Sequence, residues 1–323
     1  MLSKSTDTQA VRGTRPGATA PEAQAQLPEL APTVLVTGKG GVGKTAVSAA
    51  LAQGFATLGE RTAFVCFSEA GWAGRGLSAE VEQVVLDMTS ALEAMAISLL
   101  GSGTLAKLLV HNFAMRRLLN AAPALHELAT LHAVQALRAE GWERVVVDMP
   151  ASGHGLMWLS VPAQLMRLLR VGPLYELAAT LGSRLRDPAE TSLAVVTLAE
   201  PLVMSETIEL LTALRKGDRI AARLLVVNHM PASHRLATAE LGDAQGEEVS
   251  PGRHRLRDIM RAREARLDAV QHLAQQLDDE HVALLRVPAY PETPTLQQLG
   301  AALGFPTLQA HAAAPRESDG RAR

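Results

Sequence analysis

Thr33-Val34-Leu35-Val36-Thr37 runs directly into Gly38-Lys39-Gly40-Gly41-Val42-Gly43-Lys44-Thr45, and an Ala/Leu-rich stretch of helical period follows at 46–58. Five β-branched or aliphatic residues in a row read as a strand buried on both faces. The next eight satisfy G-x-x-x-x-G-K-[ST] between a strand and a helix, the context in which that spacing has mechanical meaning. Its glycines let backbone N–H groups curl around phosphate oxygens, and the helix that opens behind them adds the positive end of its dipole. Gly38, Gly40, Gly41, Val42, Gly43 and Ala46 are the cradle candidates; Lys44 is placed for the outer phosphates and the Thr45 hydroxyl for Mg²⁺.

Outward from this loop the strand signature recurs at 63–67, 144–148, 193–197, 223–227 and 283–287, each run followed by a polar or Gly/Pro turn. Helical stretches lie between them. Such alternation predicts an α/β fold, a P-loop NTPase with a mostly parallel, doubly wound sheet. The stretch 78–139 is rich in Leu, Ala and Met at helical spacing with no strand signal, and predicts a helical subdomain inserted between two switch loops, those after the second and third apolar runs. Polar, Ala/Pro-rich residues 1–30 and the tail 312–323 read as disordered extensions flanking one domain at 31–311. Asp148 closes a buried strand beside the phosphate loop and is placed to hold Mg²⁺ through water.

Composition removes several classes. The 323 residues carry 31 Lys+Arg against 33 Asp+Glu, a formal charge of −2, so bulk electrostatics give no strong nucleic-acid signal. Residues 253–266 hold six arginines, but no aromatics are interleaved, and a solvated helix face is the expected outcome. Cys66 is the single cysteine; it excludes an intrachain disulfide and a cysteine-cluster zinc site, and fits a reducing cytoplasm. Neither a signal peptide nor an integral membrane segment is apparent in the sequence. His111, His126 and His132 lack metal-ligand spacing and read as ordinary polar residues. Met88, Met95 and Met115 read as core filling, with a soft client groove as the sharper option.

GKGGVGKT, with its second lysine Lys39, resembles the deviant Walker A loop of the ATPase class that includes the Min and Par ATPases, nitrogenase iron protein and the arsenite-pump ATPases. Asp148-Met149-Pro150-Ala151-Ser152-Gly153-His154-Gly155 resembles the D-T-A-P-T-G-H-T switch of the arsenite-pump and tail-anchored-protein-targeting ATPases. Glu200-Pro201 with Glu206-Thr207, Val226-Val227-Asn228 and Val287-Pro288 look like further segments of that family. The helices around Leu169-Arg170-Val171-Gly172-Pro173 look most like its bacterial paired subgroup.

The resemblance implies an ATP- and Mg²⁺-dependent ATPase that works as a homodimer, or as a heterodimer with a paralogous ATPase. It also implies a protein client on the helical subdomain. It implies that Lys39 acts in trans on the nucleotide of a facing subunit, that Asn228 recognises adenine, and that Pro288 closes over the base. Where the family has an Asp that positions the attacking water, this chain has Glu69, one methylene longer. Glu69 is then either a water-orienting residue or the mark of a non-hydrolysing, nucleotide-sensing subunit. A Min/Par-type positioning ATPase is a further alternative, although residues 312–323 lack the apolar stripe of a membrane helix. With one cysteine, arsenite or antimonite lacks its preferred thiolate ligands.

Overall fold

The computed structural model describes residues 26–67, 75–112, 122–150, 152–216, 220, 222–231, 251–277 and 282–306, and side chains throughout these except at 109, 152–156 and 251–253. Seven strands form one sheet: β1 (Thr33–Gly38), β2 (Thr62–Cys66), β3 (Val81–Val85), β4 (Arg144–Asp148), β5 (Thr191–Leu198), β6 (Ala222–Met230) and β7 (Ala283–Pro288). Their order is β3-β2-β4-β1-β5-β6-β7, and every pairing is parallel. The expected α/β P-loop architecture is what the chain adopts.

Alternation along β1 shows why these runs are strands. Leu35 faces one hydrophobic core while Val34 and Val36 face another, and all three are essentially inaccessible. Helices α1 (Lys44–Thr57) and α9 (Leu296–Ala302) cover the second face. The first is covered by α2 (Met88–Leu100), α4 (Pro123–Ala139), α5 (Ser152–Leu168), α6 (Pro173–Arg186), α7 (Pro201–Lys216) and α8 (Pro251–Leu277). Short α3 (Gly103–His111) packs on α2.

Two expectations need correction. The stretch 78–139 does contain a strand: β3, Val-Glu-Gln-Val-Val, pairs with β2 at the sheet's edge. An edge strand with one neighbour tolerates Glu82 and Gln83, so it lacks the unbroken apolar run of the central strands. Beyond it the stretch is helical as expected, with Asp87 capping α2 through Ser90 N at 2.8 Å and Gly101 ending it in the left-handed conformation. The folded part also begins before residue 31. Leu30 is buried, and the Arg144 guanidinium holds the Leu30 and Ala31 carbonyls at 2.7 Å while it pairs with Glu60 and lies on the Phe55 ring. Residues 1–25 and 307–323, which include most of the first expected extension and all of the second, lie outside the described residues.

Of the candidate groove methionines, Met95 is buried core, Met88 is partly exposed and Met115 lies outside the described residues. Helix α8 seats only its last turns, through Val270, Leu273 and Leu277; Arg255 and Arg261 in its first half are exposed, as a solvated face requires. No described helix is long and apolar enough to cross a membrane.

Candidate active site

In a parallel sheet, ligands bind beyond the carboxyl ends of the strands, where the chain crosses to opposite sides of a central strand. Here that strand is β1, flanked by β4 and β5. Residues 38–46 leave its end and turn into α1. Gly38 (φ 148°) lies so close to the Val196 carbonyl of β5 that a Cβ would collide with it. Gly43 (φ 91°) adopts the left-handed conformation as N-cap of α1, and a Cβ there would meet the Asn228 amide. Glycine at these two positions lets the loop pass against its neighbours.

The Lys44 ammonium folds over the loop and donates to the Lys39 carbonyl at 3.1 Å. Thr45 Oγ1 donates to Asp148 Oδ2 at 2.6 Å across the gap between α1 and β4. Ser48 Oγ, which donates to the Lys44 carbonyl, lies 3.4 Å from Asp148 Oδ1. Burial pushes the Asp148 carboxyl above the usual carboxylate range, opposed by the Thr45 hydroxyl and the Lys44 charge. Burial pulls Lys44 below its ordinary value, opposed by Asp148. A hydroxyl and a carboxylate converging beside an ammonium fit a hydrated Mg²⁺ with phosphates. Among the described residues no cluster of three His, Cys, Asp or Glu side chains could hold a metal ion on its own.

Asn228, at the end of β6, is buried and grips the loop. Its Nδ2 donates to the Val42 carbonyl at 2.9 Å, and its Oδ1 accepts from His229 N at 2.9 Å. The family resemblance implies that this residue meets a base; in the structure its amide also braces the loop. One N–H and one lone pair remain. Beside it a cleft of about 370 Å³ opens between the loop and the ends of β5, β6 and β7, lined by Gly41, Leu198, Glu200, His229, Arg266 and Ala289. His229 sits at φ 54°, the described non-glycine residue with positive φ, and is exposed there. Pro288 ends β7 beside Met230, next to this cleft. A larger cavity, about 430 Å³, lies by Pro32 and Arg184 at the opposite end of the strands, away from the loop.

Lys39 does not bend toward its own loop. Its Nζ reaches Glu206 on α7, 2.9 Å from Oε1 and 2.7 Å from Oε2. Glu69 and residues 68–74 lie outside the described residues, as does the His154 side chain. Just before that segment, the Phe67 ring packs edge-on against Trp158 of α5, 6.1 Å between centroids. Sequence reasoning missed Ser48 and the pairing of Lys39 with Glu206. Ser48 was within reach, one turn after Thr45 on the same helix face. The ion pair spans 167 residues and left no local signal.

A glycine phosphate loop at the central strand's end, with Thr45 and Asp148 paired at its mouth, defines a P-loop nucleotide-binding fold. Residues 31–182, just under half of the chain, match the model of the family described as anion-transporting ATPase; the resemblance to arsenite-pump-related P-loop ATPases is thereby borne out. ATPase BagA of Mycobacterium tuberculosis (strain H37Rv) and the protein named "Putative ATPase Mb3704" of Mycobacterium bovis are similar to this chain. Each is 24% identical over 293 residues, covering 79% of this chain and 86% of the relative. Together these matches support an ATPase.

Proposed function

We propose that the chain binds and hydrolyses ATP with Mg²⁺ and works as a nucleotide-gated dimer, with itself or with a paralogous ATPase. The observation that carries the chemistry is the Thr45–Asp148 contact beside Lys44. Backbone N–H groups of 40–45 would donate to phosphate oxygens, Lys44 would leave the Lys39 carbonyl for the outer phosphates, and Thr45 and Asp148 would hold the cation. Mg²⁺ held by Thr45 directly and by Asp148 through water would neutralise phosphate charge as it shifts to the leaving group. Glu69 orients the attacking water, and Lys39 of the facing subunit adds charge at the transferred phosphoryl group. The cleft of Leu198, His229 and Ala289 takes the base, with the spare hydrogen-bonding capacity of Asn228 and the Pro288 turn at its edge. Exposed Leu105 and Leu108 on α3 offer an apolar surface to a protein client. The single cysteine suits a cytoplasmic setting.

Glutamate in place of the family's aspartate favours one second reading, a subunit that senses ATP without hydrolysing it. The test is labelled-ATP binding and single-turnover hydrolysis, alone and with the paralogue. Lys44→Ala loses charge-assisted hydrogen bonds of about 1.5–3 kcal/mol each, so ATP binding weakens about tenfold or more. Intact binding in that variant removes the phosphate assignment, whereas binding without turnover in the wild type selects the sensing subunit.

A further inference from the structure

Lys39 and Glu206 meet across the mouth of the loop with both carboxylate oxygens within 2.9 Å of the ammonium. The carboxylate hangs from an anchored turn of α7. Its neighbour Thr207 is buried; its hydroxyl lies 2.7 Å from the Val203 carbonyl and 2.8 Å from Thr197 Oγ1, donating to one and pairing with the other as acceptor or donor in turn, so α7 is tied to β5 at this turn. The lysine is the movable partner, on a flexible stem leaving a glycine-rich loop. Both side chains are 43% exposed, so water and an approaching surface reach the pair from outside. One turn before Glu206 on the same side of α7, Leu202 is 69% exposed, an apolar group beside the pair.

We propose that Glu206 is a positioning residue for Lys39: it holds the lysine on its own subunit until a facing copy of this chain presents bound ATP. This rests on the reading of Lys39 as a lysine acting in trans. With its ammonium drawn to α7 of its own subunit, the Lys39 stem is not extended toward a facing copy, so reaching a phosphate across an interface means leaving Glu206. Association therefore exchanges one charged partner for another, and the exchange is favourable only when the facing copy carries phosphate charge. Without nucleotide the pair stays closed and the chain stays a monomer. Glu206 thus sets the threshold of ATP-promoted association while standing outside the phosphate cradle. Its weight is that of a partly exposed ion pair, so its loss shifts the threshold without erasing it.

Zero-length carbodiimide cross-linking reads the contact directly, because it joins an amine to a carboxylate only when the two touch. A Lys39–Glu206 amide is expected in the nucleotide-free full chain, located by peptide mass spectrometry. Its yield is expected to fall when Mg²⁺ and a non-hydrolysable ATP analogue are added at protein concentrations that support association. In sedimentation with the same analogue, Glu206→Gln is expected to associate at a protein concentration about two- to fivefold lower than the wild type. A cross-link that ignores the analogue overturns the proposal, as does a Glu206→Gln threshold that is unchanged or raised. Lys39→Ala separates the two layers. If it associates like the wild type, or if the wild type associates neither with itself nor with a paralogous ATPase, the in-trans reading itself is wrong and Glu206 has nothing to gate, whatever the cross-link does.

Discussion

Asp148 serves two opposed demands, a buried place beside Thr45 and Lys44 and a negative charge for the cation. Burial raises its folded-state pKa above the unfolded value, so the stability it contributes is fully present below the usual carboxylate range. That contribution is lost as pH rises through the raised value. Asp148→Asn keeps the shape and the acceptor for Thr45 while removing the buried charge. The ligand-free variant should therefore melt at a higher temperature than the wild type at neutral pH, and the gap should close toward acid. The same variant should lose the Mg²⁺ dependence of ATP binding, which titration with and without Mg²⁺ reads. Asn228 yields a different signature. Because its amide grips the Val42 carbonyl, Asn228→Ala should weaken ATP and GTP together. Under the proposed function its remaining groups meet the base, and the variant should then also shrink the preference for ATP. For the wild type at 100 times the dissociation constant, ATP adds about 2.7 kcal/mol of stability, and matched GTP should add less. Equal thermal shifts with the two nucleotides, before and after substitution, would leave Asn228 as a brace alone.

At the scale of elements, the central strands and the phosphate loop were legible because each is written locally: an unbroken apolar run, a turn, a helix start. Strand β3 was not, since pairing on one side only and an outer surface in water let Glu82 and Gln83 stand where the pattern demands aliphatics. Of the candidate site, the cradle, Thr45 and Asp148 were readable from spacing. The bracing of Val42 by Asn228 and the capture of Lys39 by Glu206 depend on side-chain directions that only the folded sheet fixes. The α1–α9 contact supplies a stability test. Gly54 on α1 lies against the Phe305 ring, which itself packs edge-on against Phe55 at 5.2 Å. A methyl at residue 54 displaces that ring, so Gly54→Ala should destabilise by about 1–3 kcal/mol in urea titration, despite the better helix propensity of alanine. It should leave the affinity for ATP within the folded fraction unchanged.

Across the whole molecule, the two lysines of one loop point different ways. Lys44 is turned inward over the loop and Lys39 outward to α7. Lys39→Ala should leave ATP binding nearly intact below the association concentration and abolish ATP-promoted dimerisation. Sedimentation of the chain alone and mixed with a paralogous ATPase measures this in both pairings. The sheet order carries another consequence, one of timing. Strand β1 and its loop are among the first described parts to be synthesised, yet Asp148 follows Thr45 by 103 residues and Asn228 follows Val42 by 186. A chain emerging from the ribosome therefore carries its phosphate loop long before either partner exists, and closing such long loops costs entropy before any contact repays it. Nascent chains halted short of residue 228 should ignore ATP in a protease-protection assay, and those extended past β7 should respond to it.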